Sequence, residues 1–378
     1  MVLYAGVPSL RTRDHNLLSQ NFAYDALSQH RGIILLTDGY STPFLAKTAI
    51  NLLRYRGQDV VAVLDYEAAG KSARDVLGTG GDVPVVATLA DVPMADALYV
   101  GIAPPGGKLP ASWQPIILQA IERGLDVVSG LHDFLESNPV YVEAAKRHQV
   151  RLIDVRKNSY RDIASGHGLS ASCIRIHTVG HDCSLGKMVT SVEVQQGLVQ
   201  AGYRANFLAT GQTGIMISGR GVPVDCVIAD FVNGAIERLV VADQDADFQL
   251  IEGQGSITHP AYSAVTLGLL HGCAPDGLIY CYEAGRTHVK GLDNIPLPPF
   301  EAQIEILLKI ANLRHPCRLI GIAVNSRTLD QQSAAKEVQQ AEQRFGLPAC
   351  DVYRDGPKKL VEASIRLRNE LLPLRSTQ

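Results

Sequence analysis

The residues with the most chemistry to offer stand in GHDCSLGK, from Gly180 to Lys187. Ile174, Ile176 and Val179 ahead of it form a β-prone run. Met188, Val192 and Val199 behind it recur at helical spacing, with Gly202 just past the helix end. Strand, glycine-bounded loop and helix in that order aim successive backbone N–H groups, and the positive end of a helix, at an anion. A lysine at the junction adds an ammonium to the same group. Gly180, His181, Asp182, Cys183, Ser184, Leu185, Gly186 and Lys187 are therefore read as a phosphate-binding loop. The alternative is a glycine-rich connection with a solvated lysine. The common form of such loops has four residues between its glycines and a Ser or Thr after the lysine. Here five residues separate Gly180 from Gly186, and Met188 stands where a magnesium-binding hydroxyl would be. Thr190 lies one position too far along to replace it.

Four further stretches follow apolar runs and would converge on the same crevice if the runs are parallel strands. TGQTG follows Ala205 to Ala209, Asp230 ends VDCVIAD, EGQGSITHP follows Gln249 to Glu252, and EAGRTH follows GLIYCY. Asp230 sits where phosphate-loop proteins often place an acid that holds magnesium through water. Glu252 could do the same or act as a base. With Met188 at the hydroxyl position, the expectation is phosphate binding with weak or no magnesium dependence. Coenzyme A, with a pyrophosphate and a 3′-phosphate but no metal, suits that better than ATP hydrolysis.

His259, followed by Pro260 and close to Tyr262, is the preferred general base, because a neutral imidazole can take a proton near pH 7. A histidine hydrogen-bonded for structure fits equally well. Arg286 is suited to a two-pronged grip on a substrate carboxylate, with a surface salt bridge as the alternative. Gln212 and Gln254, from the neighbouring loops, are assigned to the substrate with it. Cys183 lies at a helix N-terminus, which would lower its pKa. It is nonetheless read as filling the loop rather than as a nucleophile. No CxxC pair or HExxH helix argues for a metal.

Positioning these groups requires a parallel sheet, and the chain reads that way throughout. Gly32 to Thr37, a helix from near Pro43 to Arg56, and Val60 to Leu64 form one βαβ unit. Asp65 ends its second strand, but the TDGYSTPF turn lacks the GxGxxG fingerprint. Asp65 is therefore read as a strand-end cap rather than a ribose ligand. Strands at 83–87, 97–102 and 125–129 follow, the last two trailed by APPGGKLP and GLHDF. Gly106, Gly107, Lys108 and His132 could border a site or form plain surface loops. A strand at 150–155 precedes the polar stretch 156–172, taken as a linker. Repeated strands and helices continue through Arg318 to Asn325, and helices near 333–345 and 358–371 close the chain. The fold class is α/β, with one domain over 1–155 and a second, phosphate-loop domain with a mostly parallel sheet over 173–378.

At 378 residues the chain has room for two such domains. A net charge of −3 provides no electrostatic case for nucleic acid or an anionic membrane. No apolar run is long enough to span a bilayer, and residues 1–16 hold no signal-peptide core. Seven cysteines, an odd number scattered through apolar strands, fit a reducing cytoplasm.

Two family resemblances rest on these stretches. GHDCSLGK, with EGQG about 70 residues on and GIAVNS beyond, resembles the dethiobiotin synthetase and cobyric acid synthase group of P-loop proteins. That likeness implies magnesium and ATP used to activate a carboxylate, with Asn325 placed to read adenine; Met188 departs from the pattern. PPGGKLP, GLDVVSGLHDFL, GHDCSLGK, TGQTGIMI, DFVNGAIE and EGQGSITHPAYS, in one order over nearly the whole chain, resemble the DgcN-type D-glutamate N-acetyltransferase family. His181 stands where that family's Thr is expected. This resemblance implies a Rossmann-like N-terminal domain ahead of a P-loop domain, and acetyl transfer from acetyl-CoA to the amino group of D-glutamate or a similar D-amino acid.

Three activities are carried forward. The first is a cytoplasmic N-acetyltransferase using acetyl-CoA and acting on a small molecule, with Lys187 and the loop on coenzyme phosphate, Arg286 on substrate carboxylate, and His259 or Glu252 as base. The second is an ATP- and magnesium-dependent ligase or kinase built on Asp230 and Glu252. The third is a non-catalytic nucleotide-binding protein. Enzymes of this class are commonly symmetric, so a homo-oligomer is expected.

Overall fold

The computed structural model describes residues 22–375. The N-terminal reading on residues 1–16 lies outside the described residues. Two six-stranded, wholly parallel sheets organise the chain. The first joins β1 (Ile33–Leu36), β2 (Val60–Leu64), β3 (Val85–Val86), β4 (Ala97–Val100), β5 (Asp126–Ser129) and β6 (Leu152–Asp154) in the order β3-β2-β1-β4-β5-β6. The second joins β7 (Ile174–Gly180), β8 (Ala205–Leu208), β9 (Phe248–Ile251), β10 (Gly277–Glu283), β13 (Arg318–Asn325) and β14 (Ala349–Cys350) in the order β14-β13-β10-β7-β9-β8. A two-stranded antiparallel hairpin, β11 (His288–Val289) with β12 (Leu292–Pro296), rises from the end of β10. The α/β class and the Rossmann-like and P-loop domains read from the sequence are those observed.

Helices cover both faces of each sheet, which is why the central strands are apolar without alternation. Every residue of β1, β4, β7 and β10 is buried. Ile33, Leu35 and Tyr99 face one core of the first sheet; Ile34, Leu36 and Leu98 face the other. In the second sheet Ile174, Ile176 and Ile279 point one way and Val179, Tyr280 and Ile322 the other.

The two domains share a core. Ile215 and Met216, from the helix Gln212–Ser218 after β8, lie fully buried in the cluster built on Ile33, Leu52 and Tyr99. The helix Lys47–Tyr55, after β1, is fastened at both ends to the second domain. Thr48 and Thr213 hydroxyls meet at 3.1 Å, and Arg54 and Tyr55 both donate to Glu193 Oε1, at 2.7 and 2.9 Å. Arg56 adds a bond to the Met216 carbonyl at 3.1 Å. No helix among the described residues is long and apolar enough to cross a membrane.

One stretch departs from expectation. VDCVIAD, whose β-prone residues suggest a strand, instead forms two single turns, Val224–Cys226 and Ala229–Phe231, ahead of the helix Val232–Ala242. Val224 and Val227 are buried beneath that helix rather than in a sheet. Asp230 consequently stands exposed on a turn, with no strand end beneath it.

Candidate active site

The site forms where β7, β8, β9, β10 and β13 end together. β7 runs straight into the loop 181–186, and Gly186, in the left-handed region at φ +99, turns the chain into the helix Lys187–Gln200. That backbone disfavours any residue with a Cβ. Lys187 is buried, and its ammonium donates to the Asp182 carbonyl oxygen at 2.7 Å, so it lies along the loop rather than in solvent. Burial pulls its pKa below the usual lysine value.

Asp182 locks the loop. Its carboxylate, wholly buried, accepts from the Cys183 N–H at 2.7 Å, the Lys290 N–H at 2.8 Å and the Arg286 guanidinium at 2.8 Å. Although burial opposes ionisation, these donors hold its pKa below the usual carboxylate range. Arg286 also donates to the Cys183 carbonyl at 2.8 Å and to Glu283 at 2.5 Å. Arg286, expected on a substrate carboxylate, is thus engaged on three acceptors inside the protein. Asn325 likewise donates to the Leu185 carbonyl at 2.8 Å, bracing the loop's far side. Burial raises the Cys183 thiol pKa, against the lowering expected from the helix terminus.

Glu252 stands next to the phosphate loop, within electrostatic reach of Lys187. It accepts from the Thr210 and Gly211 N–H groups at 2.8 and 3.1 Å and from the Gln254 amide at 3.0 Å. Burial outweighs those donors and pushes its pKa up to about 7. Gly253 lies so close to β7 that a Cβ there would sit 1.8 Å from the Thr178 carbonyl oxygen. Gln212 accepts from Arg156 at 2.9 Å, and Arg156 pairs with Asp225 at 2.8 Å. Gln254 thus touches Glu252, and Gln212 follows Gly211, whose N–H binds Glu252, so both glutamines stand beside this site.

Two histidines complete it. His181 Nε2 lies 3.3 Å from the Glu283 N–H, and burial pushes its pKa down to about 3. His259 Nδ1 accepts the Ala261 N–H at 3.1 Å, which leaves the proton of the neutral ring on Nε2. That Nε2 is buried, has no hydrogen-bond partner among the described residues, and lies 3.8 Å from Asp182. Its ring leans on Tyr262, with centroids 4.6 Å apart. Asp182, Cys183 and His259 bring one potential ligand atom each within 4.8 Å of one another.

The first domain reaches the same place. Lys290, in the β11–β12 turn, sits with its ammonium 4.0 Å from the centre of the Phe44 ring. Lys47 lies within electrostatic reach of Cys183, Arg156 and Lys290. Gly107 and His132 meet at the neighbouring loops, where His132 approaches Cys226 at 3.5 Å and Asp225 at 3.8 Å. Lys108 is exposed. Asp65 caps its own turn, accepting the Glu67 and Ala68 N–H groups at 3.1 and 3.2 Å. Sequence reasoning missed Lys47, Arg156 and Lys290, because each is remote from the phosphate loop in the chain and none belongs to a motif.

Fold and site together define a two-domain α/β protein whose phosphate loop faces a Rossmann-like partner domain. Residues 162–361 match the P-loop domain, and residues 66–158 the Rossmann-like domain, of the family described as domain of unknown function DUF1611; the chain belongs to that family. A D-glutamate N-acetyltransferase of Pseudoalteromonas sp is 41% identical over 268 residues, covering 71% of this chain and 80% of the relative. A second protein of that name, from Tritonibacter scottomollicae, is 38% identical over 319 residues, or 84% of this chain and 93% of the relative. The crystal structure of a DUF1611 family protein from Anabaena variabilis ATCC 29413 superposes with a TM-score of 0.83 at 34% identity, over 89% of this chain and 99% of that one.

Proposed function

We propose that the protein is an N-acetyltransferase that moves the acetyl group of acetyl-CoA to the amino group of D-glutamate or a closely similar D-amino acid. The observation that carries this is the two relatives of that name, each matched over most of its length. The site is consistent with it: a phosphate loop with Met188 in place of a metal-binding hydroxyl suits a phosphorylated donor held without magnesium.

Loop amides and Lys187 would hold coenzyme phosphate, the ammonium leaving the Asp182 carbonyl to do so. Acetyl-CoA supplies an activated thioester. The acceptor's neutral amine attacks the thioester carbonyl carbon, the C–N bond forms and the C–S bond breaks. The nitrogen's surplus proton goes to a base, and the coenzyme leaves as thiolate to be protonated. Glu252, with a pKa near 7, is suited to take that proton at neutral pH. His259, with its proton on the free Nε2, is suited to donate a hydrogen bond to the carbonyl oxygen as negative charge develops there. This assigns His259 a donor's role in place of the base expected from sequence. The test is coenzyme A release from acetyl-CoA with D-glutamate, with L-glutamate and other D-amino acids, each with magnesium and with chelator. Chelator-insensitive turnover with D-glutamate supports the reading; magnesium-dependent ATP hydrolysis without acetyl transfer overturns it.

A further inference from the structure

The cations around the phosphate loop are mostly matched within the protein. Arg156 pairs with Asp225, Arg286 with Asp182 and Glu283, and Arg327 with Glu283 at 2.9 Å. Lys187 is engaged on the Asp182 carbonyl. Two ammonium groups are left over. Lys47, at the start of the bridging helix, and Lys290, on the hairpin turn, have no carboxylate within salt-bridge distance among the described residues, and Lys290 rests against the Phe44 ring instead. They come from different domains and are brought towards one another by Phe44, three residues before Lys47, whose ring centre lies 4.0 Å from the Lys290 ammonium.

The fold enforces that proximity. The Thr48–Thr213 bond seats the first turn of the bridging helix on the second domain, one residue from Lys47. The Lys290 N–H, bound to Asp182, seats the hairpin on the phosphate loop. Two like charges, partly withdrawn from water, are costly unless an anion joins them. The loop amides and Lys187 are assigned to the donor's phosphate, so these two lysines are available to a different anion beside it.

We propose that Lys47 and Lys290 bind the carboxylates of a dicarboxylic acceptor, so that the choice of acceptor is made jointly by the two domains while the phosphate loop of the second holds the donor. This rests on the acetyltransferase reading for the identity of the reaction, but not for the existence of the site. Two unmatched cations fit the two carboxylates of a glutamate-like molecule better than those of a monocarboxylic amino acid.

The test uses the full chain, with Lys47→Met, Lys290→Met and Lys47→Arg checked for unchanged melting temperature. In steady-state acetyl transfer, either methionine variant should raise KM for D-glutamate about 30-fold, the loss expected for a partly buried charge pair, with KM for acetyl-CoA within about twofold of the parent. Preference for D-glutamate over D-glutamine should shrink in parallel, and Lys47→Arg should recover part of it. A rise in KM for acetyl-CoA alone would assign the lysines to coenzyme phosphate and overturn the proposal, as would no change in either. Calorimetry with glutarate, with and without coenzyme A, separates this from the reaction. Glutarate binding that needs Lys47 upholds the site even if acetyl transfer is absent. No glutarate binding to the parent protein in either condition sinks it.

Discussion

The ammonium of Lys187 lies 2.7 Å from the carbonyl oxygen of Asp182, five residues back along its own loop. The loop therefore closes on itself, and on the proposed reading an incoming phosphate exchanges one oxygen for another at that lysine. Removing the ammonium removes the cationic side chain of the loop while leaving its shape to Asn325 and Arg286. Lys187→Ala should weaken acetyl-CoA binding roughly 100-fold, the scale of a buried charge-assisted contact, with little loss of thermal stability. Calorimetric titration beside a melting curve checks both halves.

Glu252 links activity and stability to pH in opposite directions. As a base it works deprotonated, so kcat/KM should climb with pH through about 7. Its folded pKa lies above the 4.5 of a free glutamate, so the folded state holds the proton more tightly. Its contribution to stability is then complete below 4.5 and lost as pH rises towards 7, by about 3 kcal/mol. Glu252→Gln should flatten that fall between pH 4.5 and 7 and abolish the rising limb of the rate profile. A glutamine variant with the parent's pH–rate profile would remove Glu252 from the chemistry.

His259 should act without changing its charge. Burial lowers its pKa, and its Nδ1 is occupied by the Ala261 N–H. His259→Ala should cut kcat by about 100-fold, the loss typical of one donor to a developing oxyanion, while KM for either substrate moves little. A fall confined to KM would assign the ring to binding instead.

Gly253 tests the packing of the EGQG turn on β7. Alanine there would place a methyl 1.8 Å from the Thr178 carbonyl, whereas Gly57 has nothing within 4 Å of its virtual Cβ and an ordinary φ. Gly253→Ala should lower the melting temperature sharply and abolish turnover, with Gly57→Ala close to the parent. Met216→Ala, emptying a fully buried position at the domain junction, should cost about 2–4 kcal/mol in denaturant unfolding.

Much of this architecture is readable along the chain. The β7–loop–helix unit expected over 174–201 occurs as Ile174–Gly180 and Lys187–Gln200, because an apolar run, a glycine pair and a 3.6-residue period leave little choice. The late helices near 333–345 and 358–371 occur as Gln331–Phe345 and Lys358–Arg375. VDCVIAD misleads for a physical reason: its valines are buried, but by a helix above them, and local β-propensity does not record what covers a residue. Asp230 loses its strand end with that segment. Arg286 and Asn325, expected on substrate and adenine, stand beside the phosphate loop with donors engaged on Asp182, Cys183, Glu283 and Leu185, a distribution set by distances that no spacing rule contains. Lys47 and Lys290 are legible only once two domains are brought together.

The helix Lys47–Tyr55, tied to Thr213 at one end and to Glu193 at the other, has a meaning beyond holding the halves together. It holds the start of the helix, and Lys47 with it, at a set place on the second domain, as a caliper holds its jaw. An acceptor reaching from that lysine to the loop would be judged by its length, not merely by its charge. On the proposed reading, changes in acceptor chain length among related proteins would then be written in the segment from Thr42 to Lys47, leaving the loop assigned to the donor untouched.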